Sequence, residues 1–216
     1  MSMNVKKPAL SEIINTLLEF DTAIVSDCLA GNQQAMDRGI KPLDAQNKIC
    51  GQAFTVHCPP GDNLMLHLAV SKAQPGDILV ASTNGYYEGG AWGEIITIAA
   101  QERGIQAVVI DGSIRDSQQI MELGFPIFTR SISIKKTEKK NIGKLNVPVL
   151  VGGVWVNPGD IILGNADGVV VIPRDHLEEI AGKAQEKVEF EQEIIERIKQ
   201  GELTVDLFDL RKYEGE

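Results

Sequence analysis

The chain has 216 residues, 43% hydrophobic and 24% charged, which is enough apolar material for one domain with a full core. A net charge of -9 argues against a broad nucleic-acid-binding face, which would be basic, but leaves room for a local basic pocket. Three cysteines without a Cys-x-x-Cys pair, and apolar runs far short of a bilayer, make a disulfide framework, a zinc site and a membrane span unexpected; the expectation is one cytoplasmic domain over residues 1–216.

In chain order, Ser11 is placed to cap a first helix that buries Ile13, Ile14, Leu17 and Leu18. A second, short helix is expected from Asp21 or Thr22 to Gly31, and residues 49–57 read as a strand. Pro59-Pro60-Gly61-Asp62 reads as a turn, with Asp62 capping a helix that carries Leu64, Leu66, Leu68 and Val70. An alternating stretch follows: strand 77–81, helix 91–103 closed by Gly104, strand 107–110, helix 116–123 closed by Gly124, strand 125–129. That rhythm predicts a partly parallel sheet with right-handed crossovers.

Short strands at 147–151, 154–156, 160–163 and 169–172, broken by Gly, Pro and Asn, predict an antiparallel or barrel-like unit. Pro75-Gly76-Asp77-Ile78-Leu79 and Pro158-Gly159-Asp160-Ile161-Ile162 echo each other as turns feeding strands. The chain closes with a charged helix at about 175–199, striped by Ile180, Ala184, Val188, Ile194, Ile195 and Ile198. Such a helix either packs on its own domain or reaches a neighbouring subunit.

The chemistry concentrates in two segments. Gly89-Gly90-Ala91-Trp92-Gly93 precedes a helix start at Glu94, where unpaired first-turn amides favour a carboxylate or phosphate. The segment lacks the endings of a P-loop and the spacing of a dinucleotide fingerprint. Arg115 and Asp116 end the run Val109-Ile110-Asp111-Gly112-Ser113-Ile114, at the carboxyl edge of a buried strand where α/β sheets bind ligands. Arg115 can fork two hydrogen bonds to an oxo acid, and Asp116 is a hard oxygen ligand suited to Mg²⁺ or Mn²⁺. The plain alternative is that Asp116 caps the following helix and Arg115 is a surface residue. Asp111 is expected to support the Arg115 turn, and Trp92 is either a pocket wall or core. His57, His67 and His176 form no ligand spacing, and His67 reads as structural. No lysine adjoins the constellation in sequence, Lys72 and Lys135 being nearest, which disfavours Schiff-base chemistry.

Residues 90–172 resemble the 4-hydroxy-4-methyl-2-oxoglutarate aldolases and their relatives, the RraA-like proteins. The resemblance is carried by Gly90-Ala91-Trp92-Gly93-Glu94, Arg103-Gly104, Asp111-Gly112-Ser113-Ile114-Arg115-Asp116, Gly124-Phe125-Pro126-Ile127-Phe128, Asn146-Val147-Pro148-Val149, Asn157-Pro158-Gly159-Asp160 and Asp167-Gly168-Val169-Val170-Val171. Weaker similarity extends back through Gly61-Asp62-Asn63 and Ser26-Asp27 to Asp21.

What the resemblance implies is an α/β fold: a layered α/β/β/α sandwich with mixed sheets, of the swivelling-domain type. It also implies a homotrimer or homohexamer with active sites at subunit contacts. The activity implied is a divalent-metal-dependent lyase, using Mg²⁺ or Mn²⁺. It would cleave a 4-hydroxy-2-oxo diacid to pyruvate by retro-aldol chemistry, with oxaloacetate decarboxylation by the same enolate logic. Gly93, Glu94, Ile95 and Ile96 would line the oxo acid, with the amides of Ile95 and Ile96 on its carboxylate. Arg115 would meet the carbonyl or enolate oxygen, Asp116 would ligate the metal directly, and Glu94 would hold the metal through water. The best-known aldolases carry Asp where this chain has Glu94. Regulators of the same fold bind and inhibit RNase E but lack the acid after the arginine, so Asp116 favours the enzyme over that alternative. Nothing resembles the glycine-rich loop of an S-adenosylmethionine site, which disfavours a methyltransferase.

Overall fold

The central strands are apolar on both faces, so both faces must be covered, and the structure covers them with four layers. It is a computed structural model that describes residues 8–29 and 32–214. The strands are β1 (Lys41–Pro42), β2 (Ile49–His57), β3 (Ile78–Ser82), β4 (Gly90–Trp92), β5 (Ala107–Ile114) and β6 (Ile127–Ile132). They continue with β7 (Lys144–Leu145), β8 (Val149–Val151), β9 (Val154–Val156), β10 (Ile161–Asn165) and β11 (Gly168–Ile172). The helices are α1 (Leu10–Glu19), α2 (Thr22–Cys28), α3 (Leu64–Lys72), α4 (Glu94–Glu102), α5 (Ser117–Glu122), α6 (Leu177–Lys199) and α7 (Thr204–Leu207).

Nine strands form one mixed sheet in the order β1-β6-β5-β3-β2-β10-β11, with β4 beside β5 and β7 beside β2. Strand β3 is parallel to β2 and β5, and β5 is parallel to β4 and β6. The partners β10 and β11 run antiparallel, as do β2 and β10. The hairpin β8–β9 stands apart. Strand β2 joins the two halves. Its first residues, from Ile49 to Gln52, pair with β10, and the remainder, from Ala53 to His57, pairs with β3.

Neighbouring residues of one strand enter different cores, as the two-residue period of a strand requires. In β3, Leu79 and Ala81 face the core under α3, α4 and α5, while Ile78 and Val80 face an inner core. In β5, Val108 and Ile110 take the first side and Ala107 and Val109 the second. The inner core is closed from beyond by Ile162, Val169 and Val171 of β10 and β11, with Val149, Val151, Val154 and Val156 of the hairpin. On their other faces, Ile161, Leu163, Val170 and Ile172 meet Leu17 of α1, Val25 of α2, and Ile180 and Ala184 of α6. The sequence is therefore helix, sheet, sheet, helix, as expected.

Several boundaries differ from the sequence reading. Helix α1 begins at Leu10, and Glu12 rather than Ser11 caps it, its carboxylate accepting the Ala9 N–H at 2.9 Å. Gly31, the expected end of the second helix, lies outside the described residues. Residues 90–92 are strand rather than the start of α4, because their backbone pairs with Ser113 and Ile114. The strand expected at 107–110 runs on through Gly112 to Ile114, with an irregularity in the β5–β6 register. Both Pro-Gly-Asp turns do share one geometry: Gly76 and Gly159 have φ of 89° and 86°. Asp77 accepts the Gln74 N–H and Asp160 the Asn157 N–H, each at 2.8 Å. Along α6 the apolar stripe is buried through Ala184 and again at Ile194, whereas Phe190, Ile195 and Ile198 are exposed. Among the described residues, no helix is long and apolar enough to cross a membrane.

Asp111 does not support Arg115. Its Oδ1 accepts Arg130 Nε–H at 2.6 Å and its Oδ2 accepts the Gly152 N–H at 2.8 Å, joining β5 to β6 and to the turn between β8 and β9. Both side chains are largely withdrawn from water, and Arg130 also reaches Asp37 at 2.9 Å. Replacing Asp111 by Ala strips two charge-assisted bonds and leaves a guanidinium short of its partner. The expected cost is about 2–3 kcal/mol of unfolding free energy, read as a lower urea midpoint. An unchanged midpoint would mean that apolar contacts alone hold the hairpin.

Candidate functional site

The carboxyl ends of β2, β4 and β5 lead into the first turns of α3, α4 and α5, and a cleft opens where these ends meet. At the end of β5, the Arg115 N–H donates to Trp92 O at 2.8 Å, which locks the ends of β4 and β5 together. Asp116 follows in the left-handed region, with φ 56° and ψ 37°. An L residue held there stores strain, and the position determines where its carboxylate points. The side chain makes no capping bond to α5. It turns instead toward α4, where Oδ2 accepts the Glu94 N–H at 3.1 Å. Arg115 Nε lies 3.5 Å from the same oxygen, with both side chains partly exposed. The plain capping alternative is therefore not what Asp116 does.

Glycine is required at two positions by this approach. A Cβ at position 93 would lie 2.5 Å from Asp116 Oδ2 and 3.2 Å from Arg115 Cγ. Gly93 has φ of -157°, ordinary extended backbone, so space and not conformation is the requirement. A Cβ at position 90 would meet Ser133 O at 2.4 Å and Arg115 Cβ at 2.8 Å.

The cleft has a volume of about 270 Å³. It is lined by the segment from Gly90 to Gly93, by Ile95 and Ile96 of α4, and by Arg115 and Asp116. The Thr97 N–H makes the first bond inside α4, to Gly93 O at 3.1 Å. The three amides before it therefore lack helical partners. Asp116 takes that of Glu94, which leaves those of Ile95 and Ile96 for a ligand. The half-buried Glu94 side chain is not part of the cleft lining; its backbone is what joins the site. Trp92 is both wall and core: it lines the cleft, is fully buried, and donates Nε1–H to Thr97 Oγ1 at 2.7 Å.

The rest of the lining is absent from the sequence reading. Asn63 and His67 come from α3 and its N-terminal edge, and Lys136, Thr137 and Lys139 from the 133–143 loop. Asn63 donates Nδ2–H to Ala91 O at 2.9 Å, while its buried Oδ1 has no partner among the described residues. A buried acceptor without a donor is uncommon. His67, read from sequence as structural, faces the cleft, and burial, then the nearby Lys139, hold its imidazole below the usual range. His57 and His176 lie elsewhere, beside Asn84 and Glu179.

The reading that no lysine adjoins the constellation also fails in space, because Lys136 and Lys139 line the same cleft. Both are exposed, however, and lack the desolvation that activates a Schiff-base lysine. The available signal was the run Lys135-Lys136-Thr137-Glu138-Lys139-Lys140, four lysines in six residues of an acidic chain. Among the described residues, no group of three or more His, Cys, Asp or Glu side chains could hold a metal ion. A cation bound through Asp116 would therefore keep most of its waters, the habit of Mg²⁺.

Comparison with known proteins identifies the family. The RraA-like family, described as Aldolase/RraA, matches residues 22–171. A Halalkalibacterium halodurans protein provisionally named 4-hydroxy-4-methyl-2-oxoglutarate aldolase is 38% identical, the match covering 82% of this chain and 83% of that one. An uncharacterized Pseudomonas syringae protein of known structure superposes with a TM-score of 0.82 at 26% identity, covering 94% of this chain and 96% of its own. Streptomyces coelicolor RraAS2, described as an unusual member of the RNase ES inhibitor RraA family, gives 0.76 at 28% identity, covering 91% and 99%. With most of its length matched by the family and its four layers shared with solved relatives, the chain belongs to the RraA-like (Aldolase/RraA) family.

Proposed function

We propose that the protein is a divalent-metal-dependent lyase that cleaves a 4-hydroxy-2-oxo diacid to pyruvate, and that oxaloacetate is decarboxylated at the same site. One observation carries this reading: a single cleft collects Arg115, Asp116, the free amides at the start of α4, and two lysines on the facing loop. That set matches a substrate with a 2-oxo acid at one end and a second carboxylate at the other. The aldolase name on the 38% identical relative points the same way.

The residues fit a hard divalent cation. Asp116 Oδ2 is engaged by the Glu94 amide, and Oδ1 remains for a metal. Such a cation, when bound, supplies a Lewis acid at the 2-oxo oxygen. Glu94, at the same helix start, is the residue proposed to hold water at the rim.

The chain's own groups do the rest. The amides of Ile95 and Ile96, at the positive end of the α4 dipole, receive the 1-carboxylate. Arg115 aims its planar fork at the oxygen on which charge grows. In the retro-aldol step the 4-hydroxyl gives up its proton to water in the open cleft, the C3–C4 bond breaks, and its electron pair becomes the enolate of pyruvate, to which water returns a proton at C3. That protonation releases pyruvate, and the former C4 leaves as the second carbonyl product. Asn63 holds the strand wall of the cleft through its bond to Ala91 O. With the His67 imidazole held low, the fixed positive charge of the cleft comes from Arg115, Lys136 and Lys139.

Pyruvate release from a panel of 2-oxo acids is the direct assay. EDTA should abolish it and Mg²⁺ or Mn²⁺ restore it; full turnover by metal-free protein would end the metal mechanism. Arg115→Lys should slow turnover about a hundredfold, since a point charge replaces the fork. Asp116→Asn should remove metal affinity without unfolding the chain. Near-normal rates in both variants would move the reaction to another site, whereas no pyruvate from any acid with the wild-type protein would return the advantage to a non-catalytic binding protein of the RNase E inhibitor kind. Gly93→Ala tests the close approach itself. Its backbone tolerates alanine, so the added methyl should displace Asp116 and cost at least about tenfold in kcat while leaving the melting temperature nearly unchanged. Wild-type kcat in that variant would show that the Asp116 contact is dispensable.

A further inference from the structure

The loop at 133–143 supplies Lys136 and Lys139, yet most of it is exposed and it contains no helix. Something must hold it over the cleft. At its first end, Ser133 N–H donates to Ile114 O at 2.8 Å and Gly90 N–H to Lys135 O at 2.9 Å. Its second half is held by a carboxylate that the chemistry above does not use. Asp62 is 2% exposed, and no part of it lines the cleft. Its Oδ2 accepts the N–H of Lys140 at 2.7 Å and of Asn141 at 2.8 Å, with Asn141 Nδ2 at 3.3 Å. Its Oδ1 accepts the Leu64 N–H at 2.8 Å, at the start of α3. The backbone completes the seam: Asn63 N–H donates to Glu138 O at 2.9 Å, and Glu138 N–H to Gly61 O at 2.8 Å.

One carboxylate thus ties the lysine loop to the helix that carries Asn63 and His67. The charges in the loop sort accordingly. Lys135 pairs with Glu88 and Lys140 with Glu138, whereas Lys136 and Lys139 make no ion pair among the described residues and face the cleft. Burial works against the charged form of Asp62, but its backbone and Asn141 donors outweigh it and hold the carboxyl below the usual range. The latch therefore stays charged near neutral pH.

We propose that Asp62 is a positioning residue for substrate length: by latching the 133–143 loop it sets Lys136 and Lys139 to receive the distal carboxylate of a 2-oxo diacid. This rests on the 2-oxo diacid reading above. Short anions that occupy only the Arg115 end are indifferent to the latch; longer ones depend on it.

The test compares two ligands by calorimetric titration in constant excess Mg²⁺. Oxalate spans only the Arg115 end, and 2-oxoglutarate adds a distal carboxylate while lacking the hydroxyl needed for cleavage. Asp62→Asn keeps the shape and the Leu64 bond but turns an NH₂ group toward the Lys140 and Asn141 donors. It should weaken 2-oxoglutarate about tenfold, the worth of one charge-assisted hydrogen bond, and leave oxalate within about twofold. In turnover, KM for the diacid should rise with kcat held. Asn141→Asp guards against a folding defect in the first variant. It sets a carboxylate against Asp62 from an exposed position and should give the same selective loss, smaller in size. In a Lys136→Gln/Lys139→Gln background, Asp62→Asn should add little, because the latch acts through those lysines. Equal weakening of both ligands, or no weakening of either, overturns the latch while the lyase reading stands. Wild-type protein that binds neither ligand overturns the diacid reading and the latch with it.

Discussion

The site depends on how closely two backbone segments can approach. Strand β4 and the turn after β5 come together because positions 90 and 93 lack side chains, and the space saved is filled by Arg115 and Asp116. Close approach brings the Asp116 carboxylate onto the α4 amide, and that contact fixes the carboxylate without a cation's help. It also divides the labour among the orphan amides of α4. One serves the protein and two remain for a ligand, so the helix end is preorganised rather than merely positive. The left-handed backbone at Asp116 is the strained element that the arrangement sustains, and it sits where strain so often marks function.

Holding those segments still is the task of the layers behind them. Strand β2 pairs with β10 over its first half and with β3 over its second, so one strand holds both halves of the sheet in fixed register. A slip of one residue in β3 or β5 would exchange two cores, each already filled. This double burial makes the carboxyl ends of β4 and β5 rigid mounts. The loops beyond them can then carry chemistry without also having to carry stability.

Much of the fold was legible because it rests on local pattern. Residues 49–57 read as a strand and form β2 over the same span. Gly104 and Gly124 mark helix ends because each takes a positive φ there. The errors occur where a distant partner overrides local preference. Gly90-Ala91-Trp92 adjoins a helical stretch and becomes strand because β5 offers it a ladder. Asp111 adjoins Arg115 in sequence but bonds to Arg130 and Gly152. The cleft was half legible for the same reason. Arg115, Asp116 and the α4 amides lie on adjacent strand ends, whereas Asn63, His67, Lys136 and Lys139 arrive from segments distant in sequence that the Asp62 seam joins. A run of lysines cannot announce which of its members faces a pocket. That depends on Glu88 and Glu138, which take the other two.

Charge and side-chain identity act locally in this molecule. The chain carries a net charge of -9, yet its cleft gathers an arginine and two lysines, so overall charge says little about the ligand at the site. The same locality bears on position 94, where Glu stands in place of the Asp of the best-known aldolases that the sequence resembles. Asp116 depends on the main-chain N–H of residue 94, which any residue except proline supplies. The side chain at 94 can therefore lengthen by a methylene without disturbing Asp116, Arg115 or the free amides. Its length tells only on what the carboxylate itself touches at the rim, and that separates the substrate-facing use of position 94 from its structural use.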